Sequence, residues 1–344
     1  MKVTMKEIAR EAGVHTSTVY KVLHNRVGVS DEVRKRVQEI IAEKGYKPNP
    51  TGRILQKQGI VFKIDVLLLE VDAGYYIREG IRQVIRNHPE YSVTIREHAT
   101  RFQDIESQLA LLKESIDSRA DGIIISPNNA PAIREEIDRA GSLGIPVITV
   151  NCDIDESSRL CYVGQDGVRG ARIAGRIMDL LLKGRGKIAV ITNSVSSENN
   201  DFHVKTREQE FRRFLEENCP ELTIAGYIES LEDKAVTYAK SLELFKNTPD
   251  LDGVYITCGG VAEVGRALKE AGMEHRAKVV CFEDYPEILE LLDREVVDCT
   301  LGGNIKEQGS RSLEILMDDL LFEKKPESRY AYTDIRILVK ESIY

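Results

Sequence analysis

The chain has 344 residues, 42% of them hydrophobic and 30% charged, with a formal net charge of −8. That length exceeds a single hydrophobic core and calls for several packed units. No run of about 18 apolar residues occurs, and the start is charged and helix-forming, so neither a membrane span nor a secretory signal is expected and the location should be cytoplasmic.

The first segment, Thr4 to Leu23, reads as two short helices broken at a glycine. Ile8, Ala9 and Ala12 form the inner stripe of the first, Gly13 permits a left-handed turn, and Val19, Val22 and Leu23 form the inner stripe of the second. That is a helix-turn-helix layout, in which the second helix lies in the DNA major groove. Its outward face carries Thr16, Ser17, Tyr20, Lys21 and His24, all able to hydrogen-bond bases or phosphates, with Thr18, Asn25 and Ser30 as flanking candidates. Ser30 precedes Asp31 and Glu32 as an N-cap for a third helix, whose buried stripe is Val33, Val37, Ile40 and Ile41. Gly45 closes that helix, and Pro48 and Pro50 prevent its continuation.

The blocks TMKEIAREAGV, STVYKVLHN and VSDEVRKRVQEIIAEKGYKPN, followed by Arg53-Ile54-Leu55, resemble in order and spacing the head and hinge of the LacI/GalR family of bacterial transcription regulators. The resemblance implies a hinge that becomes helical when two subunits meet on an operator, with Leu55 wedged into the minor groove and Arg53 beside it. Such a wedge unstacks and bends the duplex. Pro50 and Gly52 depart from a hinge usually richer in helix formers, and His15 stands where a capping serine is common. Residues 1–58 hold seven lysines and five arginines against six acids, a balance of +6 that leaves −14 for the rest, so DNA contact should be confined to the head.

From residue 60 apolar runs alternate with amphipathic stretches. Strands are expected at Val66–Leu69, Ser92–Ile95, Gly122–Ile125 and Val147–Val150, then again at Ile188–Ile191, Ala225–Ile228, Gly253–Ile256 and Val279–Phe282. Ile77, Ile81, Val84 and Ile85 space as a helix, as do Ile105, Leu109, Leu112 and Ile116. Continuous apolar strands joined by helices mean parallel sheets covered on both faces, here two α/β lobes with a ligand cleft between them. The six cysteines, Cys152, Cys161, Cys219, Cys258, Cys281 and Cys299, show no zinc spacing, so no metal and no cofactor are expected.

This region resembles the type I periplasmic-binding-protein fold that follows LacI/GalR heads, through ADGIII, GIPVI, VGQD, VCFED and the final LVKES. The expected architecture is therefore an all-α three-helix head (1–46), a hinge (47–60) and an α/β two-lobed effector-binding and dimerisation domain (61–344). Three crossings near 162, 286 and 324 would divide the last into an N-lobe of about 61–162 and 287–323 and a C-lobe of about 163–286 and 324–344. By position in the family, Asp166 and Arg207 should bind ligand hydroxyls from opposite lobes. Tyr75 and Tyr76, in the first strand-to-helix loop, should stack on a sugar face. Asn151, Glu283 and Asp284 complete the candidate effector set. Cys152, Gly259, Gly260 and Gly303 replace larger polar groups in the family pattern and should open room for a ligand bigger than a free pentose.

Enzyme readings fail on the motifs. Gly184-Arg185-Gly186-Lys187 lacks the P-loop spacing, Gly259 to Gly265 does not fit GxGxxG, no GxSxG elbow occurs, and His203 and His275 have no nucleophile block. The expectation is a homodimeric regulator, usually a repressor in this family, that binds a pseudo-palindromic double-stranded operator. A small polar, carbohydrate-like effector in the cleft would control it. The alternatives are a protein corepressor at the lobe surface, or less favourably a cytoplasmic solute-binding protein or α/β enzyme.

Overall fold

The computed structural model describes residue 3 and residues 5–23, 27–44, 60–193 and 202–343. The chain divides into two compact units, Met1–Gln58 and Gly59–Tyr344.

In the first unit, α1 (Met5–Ala12), α2 (Thr16–Leu23) and α3 (Asp31–Glu43) bury Ile8, Ala9, Ala12, Val19, Val22 and Val37 against one another. Leu23, Val33, Ile40 and Ile41 are half-buried around that core. Gly13 turns the chain between α1 and α2 at φ +65°, a conformation that costs glycine nothing. Ser30 occupies the N-cap position of α3 in extended backbone, but its side chain makes no cap hydrogen bond. Only its carbonyl accepts, from Arg34 N at 2.9 Å.

A cap does form at α2. His15 Nδ1 lies 3.3 Å from Ser17 N and 2.9 Å from Ser17 Oγ, so the ring nitrogen takes the place a serine oxygen usually fills. Loss of a helix cap costs about 1 kcal/mol, so His15→Ala should lower the stability of the helical head by that amount while His15→Ser stays close to wild type. Calorimetry of the full-length variants checks this; equal melting of all three would mean the ring bond contributes nothing.

The second unit holds two six-stranded sheets with the orders β11-β5-β4-β3-β1-β2 and β12-β10-β9-β8-β6-β7. In the first sheet β1 is Phe62–Leu69, β2 Val93–Thr100, β3 Gly122–Ile125, β4 Val147–Val150, β5 Cys161–Gly164 and β11 Tyr330–Tyr332. In the second, β6 is Arg185–Thr192, β7 Glu221–Glu229, β8 Gly253–Ile256, β9 Lys278–Phe282, β10 Cys299–Gly302 and β12 Arg336–Leu338. Pairing is parallel throughout except for β12, which runs antiparallel to β10.

Helices cover both faces of each sheet, which is why β3, β4 and β8 are buried at every residue. In the N-lobe, α4 (Asp72–Asn87) and α12 (Ile305–Phe322) share one core with the sheet, and α5 (Ile105–Asp117) and α6 (Pro131–Ser142) share the other. In the C-lobe, α7 (Gly167–Leu182) and α8 (Phe202–Asn218) lie on one face. The other face is covered by α9 (Lys234–Asn247), α10 (Val261–Glu270) and α11 (Pro286–Asp293). Among the described residues no helix is long and apolar enough to cross a membrane.

The lobe boundaries differ from the expected ones. The first crossing falls at residues 165–166, close to the expected 162, but the second lies at 303–304 instead of 286 and the third at 333–335 instead of 324. Helix α11 buries Ile288 and Leu292 against the C-lobe core, and β10 pairs with β9, so residues 287–302 stay in the C-lobe. Strand β11 pairs with β5, so residues 330–332 stay in the N-lobe.

Candidate functional site

The outward face of α2 presents Ser17 and Lys21 to solvent, with Thr16, Thr18 and Tyr20 half-buried beside them. The apolar residues Val19 and Val22 are what turn this polar face outward. His24, Asn25, Arg53 and Leu55 lie outside the described residues.

Between the lobes of the second unit lies a cleft of about 120 Å³. It opens at the carboxyl ends of the strands in both sheets, the usual ligand position in open parallel sheets. The N-lobe wall comes from the end of β1 (Leu69 to Ala73), from Phe102, and from Asn151 and Cys152 after β4. The C-lobe wall comes from Asn193 after β6, His203, Val204 and Arg207 on α8, the segment Glu232 to Lys234, Cys258 to Gly260 after β8, and Glu283 with Tyr285 after β9.

Arg207 is the organising group. Its side chain is 5% exposed, and its guanidinium lies over the Phe282 ring at 3.7 Å. One terminal nitrogen donates to the Thr257 carbonyl at 2.9 Å; the other donates to Gln165 Oε1 at 2.8 Å and to Glu283 Oε1 at 3.4 Å. Among the described residues, two buried atoms of this cluster have no hydrogen-bond partner, the donor Arg207 Nε and the acceptor Glu283 Oε2. Burial pushes the Glu283 carboxyl above the usual range, opposed by the Arg207 charge. Glu283 sits at φ +79° and Asn151 at φ +64°, two non-glycine residues held in left-handed backbone at the cleft wall. His203 is 7% exposed, and burial, aided by Arg207, holds its pKa well below the ordinary value.

Of the seven expected effector residues, the structure brings Asn151, Arg207 and Glu283 to the cleft. The other four are not part of its lining. Asp166 does not face Arg207 across the lobes; it caps α7, accepting from Arg169 N at 3.0 Å. Asp284 pairs with Arg336 and accepts from Asn304 N at 3.3 Å. Tyr75 and Tyr76 lie inside α4 instead of in a loop, and Tyr75 is 58% exposed. Tyr76 joins the lobes: its ring stacks on Tyr285 at 5.3 Å and its hydroxyl donates to Glu287 at 2.8 Å. Lys234 and Asp72 make a second contact across the cleft mouth at 3.3 Å. Nor do the glycines open extra room. A Cβ on Gly259 would stand 2.7 Å from Glu232 Oε2, and one on Gly303 would stand 2.2 Å from Gln165 Nε2.

The family model described as periplasmic binding protein domain matches residues 72–324, and the one described as bacterial regulatory proteins, lacI family, matches residues 4–49. The chain belongs to the LacI/GalR family of transcription regulators. The regulator MalR of Streptococcus pneumoniae (strain ATCC BAA-255 / R6) is 28% identical to it over 273 residues, 76% of this chain and 78% of the relative. Catabolite control protein A of Priestia megaterium is 25% identical over 64% of this chain, a match that spans just under two thirds, 63%, of that relative. Among solved structures, a solute-binding protein from Burkholderia graminis in complex with D-arabinose superposes with a TM-score of 0.75 at 19% identity, over 82% of this chain and 96% of that one. The glucose-galactose binding protein GanP from Geobacillus stearothermophilus gives 0.74 at 20% identity, over 83% and 99%. These two share the fold of the LacI-family effector unit. The relatives are DNA-binding regulators and not enzymes, and so is this LacI-family chain.

Proposed function

We propose that this regulator binds a pseudo-palindromic operator as a homodimer and represses transcription, and that a small polyhydroxylated, carbohydrate-like metabolite in the inter-lobe cleft sets its operator affinity. The observation that carries the ligand class is a pair of buried atoms at the cleft with no partner among the described residues, a donor on Arg207 and an acceptor on Glu283. A hydroxyl both donates and accepts, so neighbouring hydroxyls on one ligand answer both atoms. Leu69 and Phe102 on the N-lobe wall and Val204 on the C-lobe wall offer apolar surface to the carbon skeleton. The similar fold of a protein holding D-arabinose supports the same class. For the ligand to control DNA, it must bind one lobe arrangement better than the other.

Calorimetry with D-glucose, D-galactose, D-arabinose, D-allose and maltose, run beside amino acids and nucleosides, tests the ligand class. Binding only by the latter two groups would reject it.

On the DNA side, Lys21 is the exposed cation on the recognition face. Lys21→Ala should cost about 1–3 kcal/mol on a selected operator if it contacts a base edge, with relaxed preference at one position. Titration against operator and scrambled duplexes checks this; equal losses on both would make Lys21 a phosphate anchor.

A further inference from the structure

We propose that Gln165 is a positioning residue that transmits engagement of the cleft arginine to the crossings between the lobes. Gln165 is 2% exposed and occupies the first crossing. Its Oε1 accepts from Arg207 at 2.8 Å, and its Nε2 donates at 3.0 Å to the carbonyl of Leu301, in β10 just before the second crossing. That same carbonyl accepts from Glu283 N at 3.1 Å, and Glu283 Oε1 returns to Arg207 at 3.4 Å. Arg207, Gln165, Leu301 and Glu283 thus form a closed hydrogen-bonded ring. The third crossing is tied to the residue before Gln165, because Thr333 N donates to the Gly164 carbonyl at 2.8 Å. Gly303, on the second crossing, has no side chain where the Gln165 amide lies; a Cβ there would stand 2.2 Å from Nε2.

A ligand acceptor at Arg207 Nε draws the rigid guanidinium toward itself and so strains the bond from its terminal nitrogen to Gln165 Oε1. The amide can answer only by shifting, and its other end holds the second crossing. Cleft occupancy therefore changes the restraint on the segments about which the lobes turn. The inference rests on reading Arg207 as an effector contact, but its test needs no ligand.

The test is hydrogen exchange by mass spectrometry on the full-length chain in five forms: wild type, Arg207→Lys, Gln165→Leu, the double variant of these two, and Gln165→Glu. Lysine keeps the charge but cannot reach Thr257, Gln165 and Glu283 together, so Arg207→Lys should speed exchange at residues 299–304 by about tenfold, as expected for loss of one charge-assisted hydrogen bond. Gln165→Leu should do the same, and the double variant should add nothing further, the signature of two residues acting through one link. Gln165→Glu retains the acceptor for Arg207 and loses the donor to Leu301, so it should match Gln165→Leu at 299–304. Unchanged exchange in β3 and β8 marks a folded protein. Should Gln165→Leu fail to fold, Gly303→Ala, which crowds the same amide, takes its place with the same expected rise. Wild-type exchange at 299–304 in Arg207→Lys, or full additivity in the double variant, overturns the proposal. A ligand panel with no binder would reject the functional reading and leave this exchange result standing.

Discussion

Arg207→Ala is expected to lower effector affinity by about 1.5–3 kcal/mol, one to two decades, while operator binding without effector survives. The truncation removes the cation of a buried cluster and strands three acceptors, the Thr257 carbonyl, Gln165 Oε1 and Glu283 Oε1. It also leaves the stability of the effector unit dependent on pH. Glu283 already has its carboxyl raised by burial, and Arg207 is the group that opposes the rise. Without it the folded-state pKa climbs further above the ordinary 4.5. A carboxyl raised in the folded state contributes stability that is fully present below its unfolded pKa and lost as pH rises through the folded one. The deficit of Arg207→Ala against wild type should therefore be smallest near pH 4.5 and grow toward neutral pH. Melting curves of both proteins across that range check the sign, and a deficit that grows toward acid would contradict it.

Gly309→Ala is expected to destabilise the N-lobe by about 1–3 kcal/mol or more, because it drives backbone against backbone. A Cβ at Gly309 would stand 2.1 Å from the Ile77 carbonyl oxygen, and one at Gly80 would stand 1.9 Å from that of Lys306. Helices α4 and α12 therefore touch at their backbones, with Ser310 Oγ donating to the Gly80 carbonyl at 3.1 Å. Neither helix can yield easily, since both also bury apolar faces on the same sheet. In a unit of this size each kcal/mol lowers the melting temperature by about 2–4 °C. Gly80→Ala should behave alike, and the pair should fall short of additive because one separation of the helices relieves both clashes. Wild-type melting of either variant would mean that the helices pack more loosely than described.

Much of the fold could be read from the chain because its central strands β3, β4 and β8 are short, wholly buried apolar runs. Gly122–Ile125, Val147–Val150 and Gly253–Ile256 appear with the bounds their sequences suggested. The lobe crossings were not legible. The stripe Ile288 and Leu292 marks an amphipathic helix but not the sheet it covers, and strands β10, β11 and β12 are only three or four residues long.

The site was legible in part. Arg207 and Glu283 follow from family position, and both reach the cleft. Asp166, at an equally suggestive position, is satisfied locally as a helix cap. Gln165 gave no local signal, because its partners lie 42 and 136 residues away and only the crossings bring them together. Tyr76 is an aromatic at the cleft edge whose stacking partner is Tyr285.

The central claim is that the cleft ligand and the operator are thermodynamically linked. The direct measurement is fluorescence anisotropy of a selected operator duplex titrated with the full-length protein, with and without the sugar that binds by calorimetry. Linkage predicts a shift in operator affinity of about 5- to 150-fold on saturation, and an equal shift in sugar affinity when operator is present. Superimposable operator titrations with the cleft saturated would contradict the account.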